Sequence, residues 1–246
     1  MTAIQPGVCL TFDDLFVENW LAARPLFDRF DARVTFCVTM LHMATEAQLD
    51  GLHQLQNDGH EIALHSRTHP RLRPYLERHG IEHWLAEEVD AGIREHRAAG
   101  FPATSFACPY HASTHDTRRA LGTRFEIVRT KGPRGLTADR LPRRVYRQTG
   151  RHRMVHNIGS VDFRHVGQGG TGWFATILDS IADGGGVGIF TGHDIRLRND
   201  GPGRYATLED LERALAMIRR RGLKFHTLTG FARAMALESQ ADLAGP

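Results

Sequence analysis

The 246-residue chain is 41% hydrophobic and 24% charged, an ordinary globular composition, and it is long enough to bury a substantial core without staples. A formal charge of +3, with basic and acidic residues interspersed, is too weak to argue for a nucleic-acid partner despite a sequence pI near 9.0, and none is expected. Lys131, in a Gly/Pro-rich stretch, and Lys224, in a late strand, are the only lysines, so Schiff-base chemistry is poorly supplied.

Cys9, Cys37 and Cys108 are too few, and odd in number, for a disulfide framework; each sits in a strand-like run where a reduced thiol packs as a small apolar group. No apolar run approaches the ~18 residues of a membrane span, and no charged-then-apolar leader is visible at the N-terminus. The expectation is a reduced, cytoplasmic protein forming one domain over 1–246.

Strands and helices alternate along the chain. The run 8–12 (VCLTF) reads as a strand, followed by a helix over about 16–29. A strand at 34–39 precedes a helix after Thr45, which forms a capping box with Gln48. Strand 61–64 leads to a helix over about 81–97, with Leu85, Val89 and Ile93 on one face. Strands follow at 105–107, 125–129, 154–158 and 187–190, with a helix over 173–182 between the last two. A helix over 207–221 has Thr207 as N-cap and Gly222 just past its end. Strand 224–227 and a helix from near Thr229 close the chain, with a frayed tail after Leu237. Repeated β-then-α units imply parallel strands and right-handed crossovers. The fold class is therefore α/β, a distorted (β/α) barrel of about seven parallel strands, irregular over 130–172.

The polar residues gather at strand ends. The first strand runs into Asp13-Asp14 and the third into His65-Ser-Arg-Thr-His69. The fourth ends at Cys108-Pro109-Tyr110 and the seventh at Thr191-Gly192-His193-Asp194. In a parallel barrel all these ends open on one face, where active sites lie. One Asp and two His form a three-ligand set with room for water, the pattern of a catalytic metal site. Spacing alone is weak support: fifteen histidines give about one i,i+4 pair by chance, and four occur. His65/His69 stands apart because it follows a strand and acids end the others. Taken alone, Asp13-Asp14 reads equally as a charge pair at a helix N-terminus.

Five segments in order resemble the polysaccharide deacetylases, the NodB-homology group or carbohydrate esterase family four. They are Thr11-Phe12-Asp13-Asp14; 32–38 (ARVTFCV); Gly59-His60-Glu61-Ile62 with His65-Ser66-Arg67-Thr68-His69; Phe106-Ala107-Cys108-Pro109-Tyr110; and 190–194 (FTGHD). The resemblance implies a divalent metal, usually zinc, on Asp14, His65 and His69. It implies Asp13 as general base, His193 as general acid and the Tyr110 N–H as oxyanion donor. It further implies hydrolysis of a non-peptide amide, with N-deacetylation of an amino sugar or polysaccharide foremost. Removal of formyl, hydrolysis of a small amide or ureide, and metal or carbohydrate binding without turnover are the competing readings.

The chain departs from the pattern. Ala107 stands where an Arg usually pairs with the base, and His111 where Gly usually follows Pro-Tyr. Leu141-Pro142-Arg143 resembles a subgroup motif that makes Arg143 the replacement. Asp162 is a candidate partner for His193. Trp20, Trp173 and Tyr110 are candidates to stack on a sugar face, Tyr110 foremost, while Trp84 is assigned to the core.

Overall fold

The computed structural model describes residues 4–131, 145–146, 154–162 and 172–243. Strands β1 (Gly7–Asp14), β2 (Thr35–Val38), β3 (Glu61–Leu64), β4 (Ser105–Ala107) and β5 (Ile127–Lys131) pair side by side, all parallel. Then β6 (Met154–Asn157) pairs with β5, and β7 (Gly159–Ser160), one residue further on, pairs with β8 (Val187–Gly192). Since β8 also pairs with β1, the segment 154–160 brings the sheet round to a nearly closed barrel, as expected from the repeated β-then-α units. Two short strands not expected from the sequence, β9 (Asp194–Arg196) and β10 (Tyr205–Thr207), pair with each other beyond the end of β8. Strand β11 (Lys224–Phe225) pairs only with Gly7 and Val8 at the start of β1.

The two-residue period of a strand sorts its side chains. Val8, Leu10 and Phe12 of β1 join the layer packed under the helices, whereas Cys9, with Cys37, Ala63, Ala107, Ile127 and Val155, belongs to a separate inner cluster. All three cysteines are free and buried. By the same alternation Thr11 and Asp13 face inward, with Asp13 at the C-terminal mouth.

The helices are α1 (Val17–Ala22), α2 (Arg24–Arg29), α3 (Glu46–Asn57), α4 (Leu72–Trp84), α5 (Ala91–Ala98), α6 (His115–Gly122), α7 (Gly172–Gly184), α8 (Leu208–Arg220) and α9 (Leu228–Leu243). The capping boxes at Thr45 and Thr207 form, and Gly222 takes a positive φ of 67° just past α8. Several boundaries differ from expectation. The helix expected over 16–29 breaks at Ala23, because Pro25 at the start of α2 has no N–H to continue the ladder. The helix expected from 81 begins at Leu72, bends at Gly80 (φ 78°) and widens into a π-helix over Leu85–Asp90 before α5; Leu85, Val89 and Ile93 are buried as expected. The fifth strand starts two residues later than expected, and α9 runs on to Leu243. Helix α6, capped by Thr114, is too short and polar to have stood out by periodicity. No helix among the described residues is long and apolar enough to cross a membrane.

Two buried histidines away from the strand ends tie stability to pH. His60 Nδ1 accepts the Val34 N–H at 3.1 Å, so the ring is neutral, and His96 is 1% exposed. Burial pushes both rings down to about 4. The unfolded chain, with ordinary histidines near 6.5, therefore binds more protons between pH 6.5 and 4. Their contribution is complete above pH 6.5 and is lost as pH falls towards 4, at most roughly 3 kcal/mol each. His60→Asn keeps an acceptor for Val34 but cannot titrate. The urea midpoint of this variant should fall less steeply than the wild type's between pH 6.5 and 4.5.

Candidate active site

At the mouth of the barrel, Asp14, His65 and His69 converge, each offering a ligand atom within 4.8 Å of the others. Alternation along β1 would turn Asp14 outward, away from Asp13. A positive φ of 84° breaks the strand geometry there and lets Asp14 share the cleft. His65 ends β3, and its Nδ1–H donates to the carbonyl of Ala107 at 2.8 Å. A carbonyl only accepts, so the proton is fixed on Nδ1 and the Nε2 lone pair faces the cleft. His69 Nε2 lies 3.2 Å from His65 Nε2, and Asp14 Oδ1 lies 3.6 Å from His69 Nε2 and 4.0 Å from His65 Nε2. Tetrahedral zinc with bonds near 2.05 Å sets its ligand atoms about 3.3 Å apart, so this donor set fits such an ion.

The loop carrying His69 is held from below. Glu88, 3% exposed in the π-helix, accepts the Thr68 N–H at 2.8 Å and the Thr68 hydroxyl at 2.5 Å, while its own carbonyl accepts the Arg67 N–H. Ser66 Oγ accepts the His69 N–H at 3.0 Å. Ser66 and His69 both take positive φ, 61° and 59°, so the loop depends on these outside contacts.

Asp13 is buried, and its Oδ1 accepts from Arg129 Nη2 at 2.5 Å. Burial alone would push its carboxyl up, but Arg129, with His65, His193 and His111, holds it well below the usual carboxylate range. Arg129 Nη1 also donates to Thr191 Oγ1 at 2.7 Å and to His111 Nδ1 at 3.0 Å. Burial pushes His65 down to about 4, against the opposing pull of Asp13. His193 behaves differently. Burial favours its neutral form, but Asp162, then Asp13 and Asp14, outweigh this and raise its pKa. Its Nδ1–H donates to Asp162 Oδ2 at 2.6 Å and its backbone N–H to Asp162 Oδ1 at 3.1 Å.

Trp20, at 0% exposure, packs in the core and donates from Nε1 to the His193 carbonyl, and Trp173, at 9%, packs against Gly159. Neither offers a face to a sugar, in keeping with the preference for Tyr110 among the three. Trp84 is core, as expected, at 3%. Tyr110 is 51% exposed, its ring 4.7 Å from that of His69 and 5.0 Å from the Arg71 guanidinium. The N–H groups of His111 and Ala112 turn back to Cys108 and Pro109, while that of Tyr110 has no partner among the described residues.

Arg143 lies outside the described residues, and the guanidinium on Asp13 is that of Arg129, which sequence reasoning missed. The signal was present: Ile127 points into the barrel, so Arg129, two residues on, must too, and an inward arginine needs an acid.

A barrel of parallel strands with a three-donor cluster, a buried acid and a paired histidine at its C-terminal mouth has the build of a hydrolase. Residues 2–124, half of the chain, match the polysaccharide deacetylase family model, and the chain belongs to that family. Its fold is similar to that of a chitin deacetylase from Colletotrichum lindemuthianum (18% identity, TM-score 0.58, covering 94% of this chain and 88% of that one). It is also similar to the peptidoglycan deacetylase PdaC from Bacillus subtilis (14% identity, TM-score 0.57, covering 98% and 96%). A third similar structure is a family 4 carbohydrate esterase from Streptomyces lividans (16% identity, TM-score 0.52, covering 92% and 93%). No curated protein matches the chain.

Replacing Glu88 by Ala frees Thr68 and loosens the loop of His69. If these three donors take up zinc, the affinity measured by competition with a chelating dye should fall about tenfold to a hundredfold, as for other outer supports of metal ligands.

Proposed function

We propose that the chain hydrolyses an N-acyl group, foremost an acetyl, from an amino sugar or polysaccharide, using a divalent metal held by Asp14, His65 and His69. The observation that carries this reading is the convergence of those three donors beside two differently tuned groups, an Asp13 held low by Arg129 and a His193 raised by Asp162. Two nitrogens and one carboxylate, with positions left open, favour zinc. A bound divalent cation supplies a Lewis acid, which acidifies water and polarises a carbonyl.

The chain's residues do the rest. Asp13, kept ionised by Arg129, is the base that takes a proton from the attacking water. Arg129 holds Asp13 Oδ1, leaving Oδ2 free to receive that proton. The unpartnered Tyr110 N–H is the donor for the developing oxyanion, a group worth about a hundredfold or more in rate in other enzymes. His193 Nε2–H gives its proton to the departing nitrogen, and Asp162 on Nδ1 keeps the ring oriented and charged. Tyr110 is also the exposed aromatic at the cleft, suited to lie against a sugar face.

Acetate release from N-acetylglucosamine oligomers, alongside elemental analysis of the purified protein, tests the reading directly. Hydrolysis of only small amides would move the substrate class, and retained metal with no turnover of any amide would leave a binding protein. In the active protein, Asp13→Asn should retain its metal and lose about a hundredfold to ten-thousandfold in kcat. A raised His193 pKa means the acid is present below that pKa and is lost as pH rises through it. Asp162→Asn lowers it, so the alkaline fall in kcat/KM should begin at lower pH than in the wild type.

A further inference from the structure

His111 sits in the network around Asp13 but has no part in the steps above. Its Nδ1 lies 3.0 Å from Arg129 Nη1, which also donates to Thr191. A guanidinium has no lone pair to offer, so Nδ1 must accept, and the single ring proton must sit on Nε2. A second proton would set two cations against each other; burial, then Arg129, pushes the ring down to about 3. Nε2 has no hydrogen-bond partner among the described residues and is not sealed from solvent. The ring lies beside Asp13, because the guanidinium that meets its Nδ1 also holds the Asp13 carboxylate.

The backbone beneath it is unusual. Tyr110 and His111 take successive positive φ values of 52° and 53°, a conformation glycine adopts far more readily than a residue with a β-carbon. The turn is secured by Thr130 Oγ1, which donates to the His111 carbonyl at 3.1 Å. A bulky imidazole is thus kept where the backbone favours glycine, with one nitrogen anchored and the other open.

We propose that His111 is a specificity-determining residue whose Nε2–H, oriented by Arg129, donates to an acceptor oxygen of the substrate, a hydroxyl or carbonyl flanking the scissile amide beside Asp13. The inference rests on the N-acyl hydrolase reading and names a feature its substrate must carry. A sugar ring, with hydroxyls next to the acylated carbon, meets the requirement, and a plain N-alkyl amide does not.

His111→Gly suits the positive φ, so the variant should fold with an equal or higher melting temperature and unchanged metal content. Its kcat/KM on N-acetylglucosamine tetramer should fall about tenfold to a hundredfold, the loss expected for one hydrogen bond made to substrate. His111→Asn tolerates positive φ and can accept from Arg129 in place of Nδ1, but its N–H stops short of the Nε2 position, so it should recover little of that loss. Equal kcat/KM for wild type and His111→Gly on every acetylated probe that the wild type cleaves overturns the proposal. If the wild type cleaves none, the hydrolase reading fails first, and histidine 15N NMR still decides this one. The His111 ring must carry its proton on Nε2, and N-acetylglucosamine tetramer must shift that resonance. A proton on Nδ1, or no shift at the highest sugar concentration reached, overturns it.

Discussion

The contact between Asp13 and Arg129 spans the inside of the barrel, from β1 to β5, with both side chains almost sealed from water. A pair in this setting is not a source of large net stability, since desolvation offsets most of the attraction. Removing one partner is another matter, because an unpaired buried charge costs about 3–5 kcal/mol. Each residue therefore compels the other. Around the pair, burial holds His65 and His111 low, with Arg129 adding to the effect and Asp13 opposing it, while Asp162, then Asp13 and Asp14, raise His193.

Backbone strain is concentrated in the same place. Of the eight non-glycine residues with positive φ among the described residues, Asp14, Ser66, His69, Tyr110 and His111 all lie at the mouth. Each re-aims a side chain or an N–H that regular geometry would point elsewhere. The surroundings hold them there: Glu88 under the His69 loop and Thr130 under the Tyr110 turn. Such conformations persist only where neighbouring structure over-determines them.

Much of this was legible in the sequence. Strands read well because their apolar runs end abruptly at acids and histidines, and parallel order then sends those ends to one face. Asp13, Asp14, His65, His69, Tyr110 and His193 could be singled out because motif and strand end coincide. Arg129 was passed over, although the two-residue alternation that turns Ile127 inward carries Arg129 inward as well. Helix α6 and strands β9 and β10 are too short for periodicity to register, and Pro25 split a helix whose apolar pattern ran straight through. Trp20 and Trp173 stayed open as candidates because composition does not say whether an aromatic faces solvent or core.

The family match ends at residue 124, yet Arg129, Asp162 and His193 lie beyond it. The segment 154–160 matters equally, for it joins β5 on one side to β8 on the other. A shortened chain ending with the matched half would keep Asp14, His65 and His69 but leave Asp13 without Arg129 and lack the Asp162–His193 pair. Such a fragment is half a charge circuit, so the smallest working unit of this protein must include the strands that complete the ring.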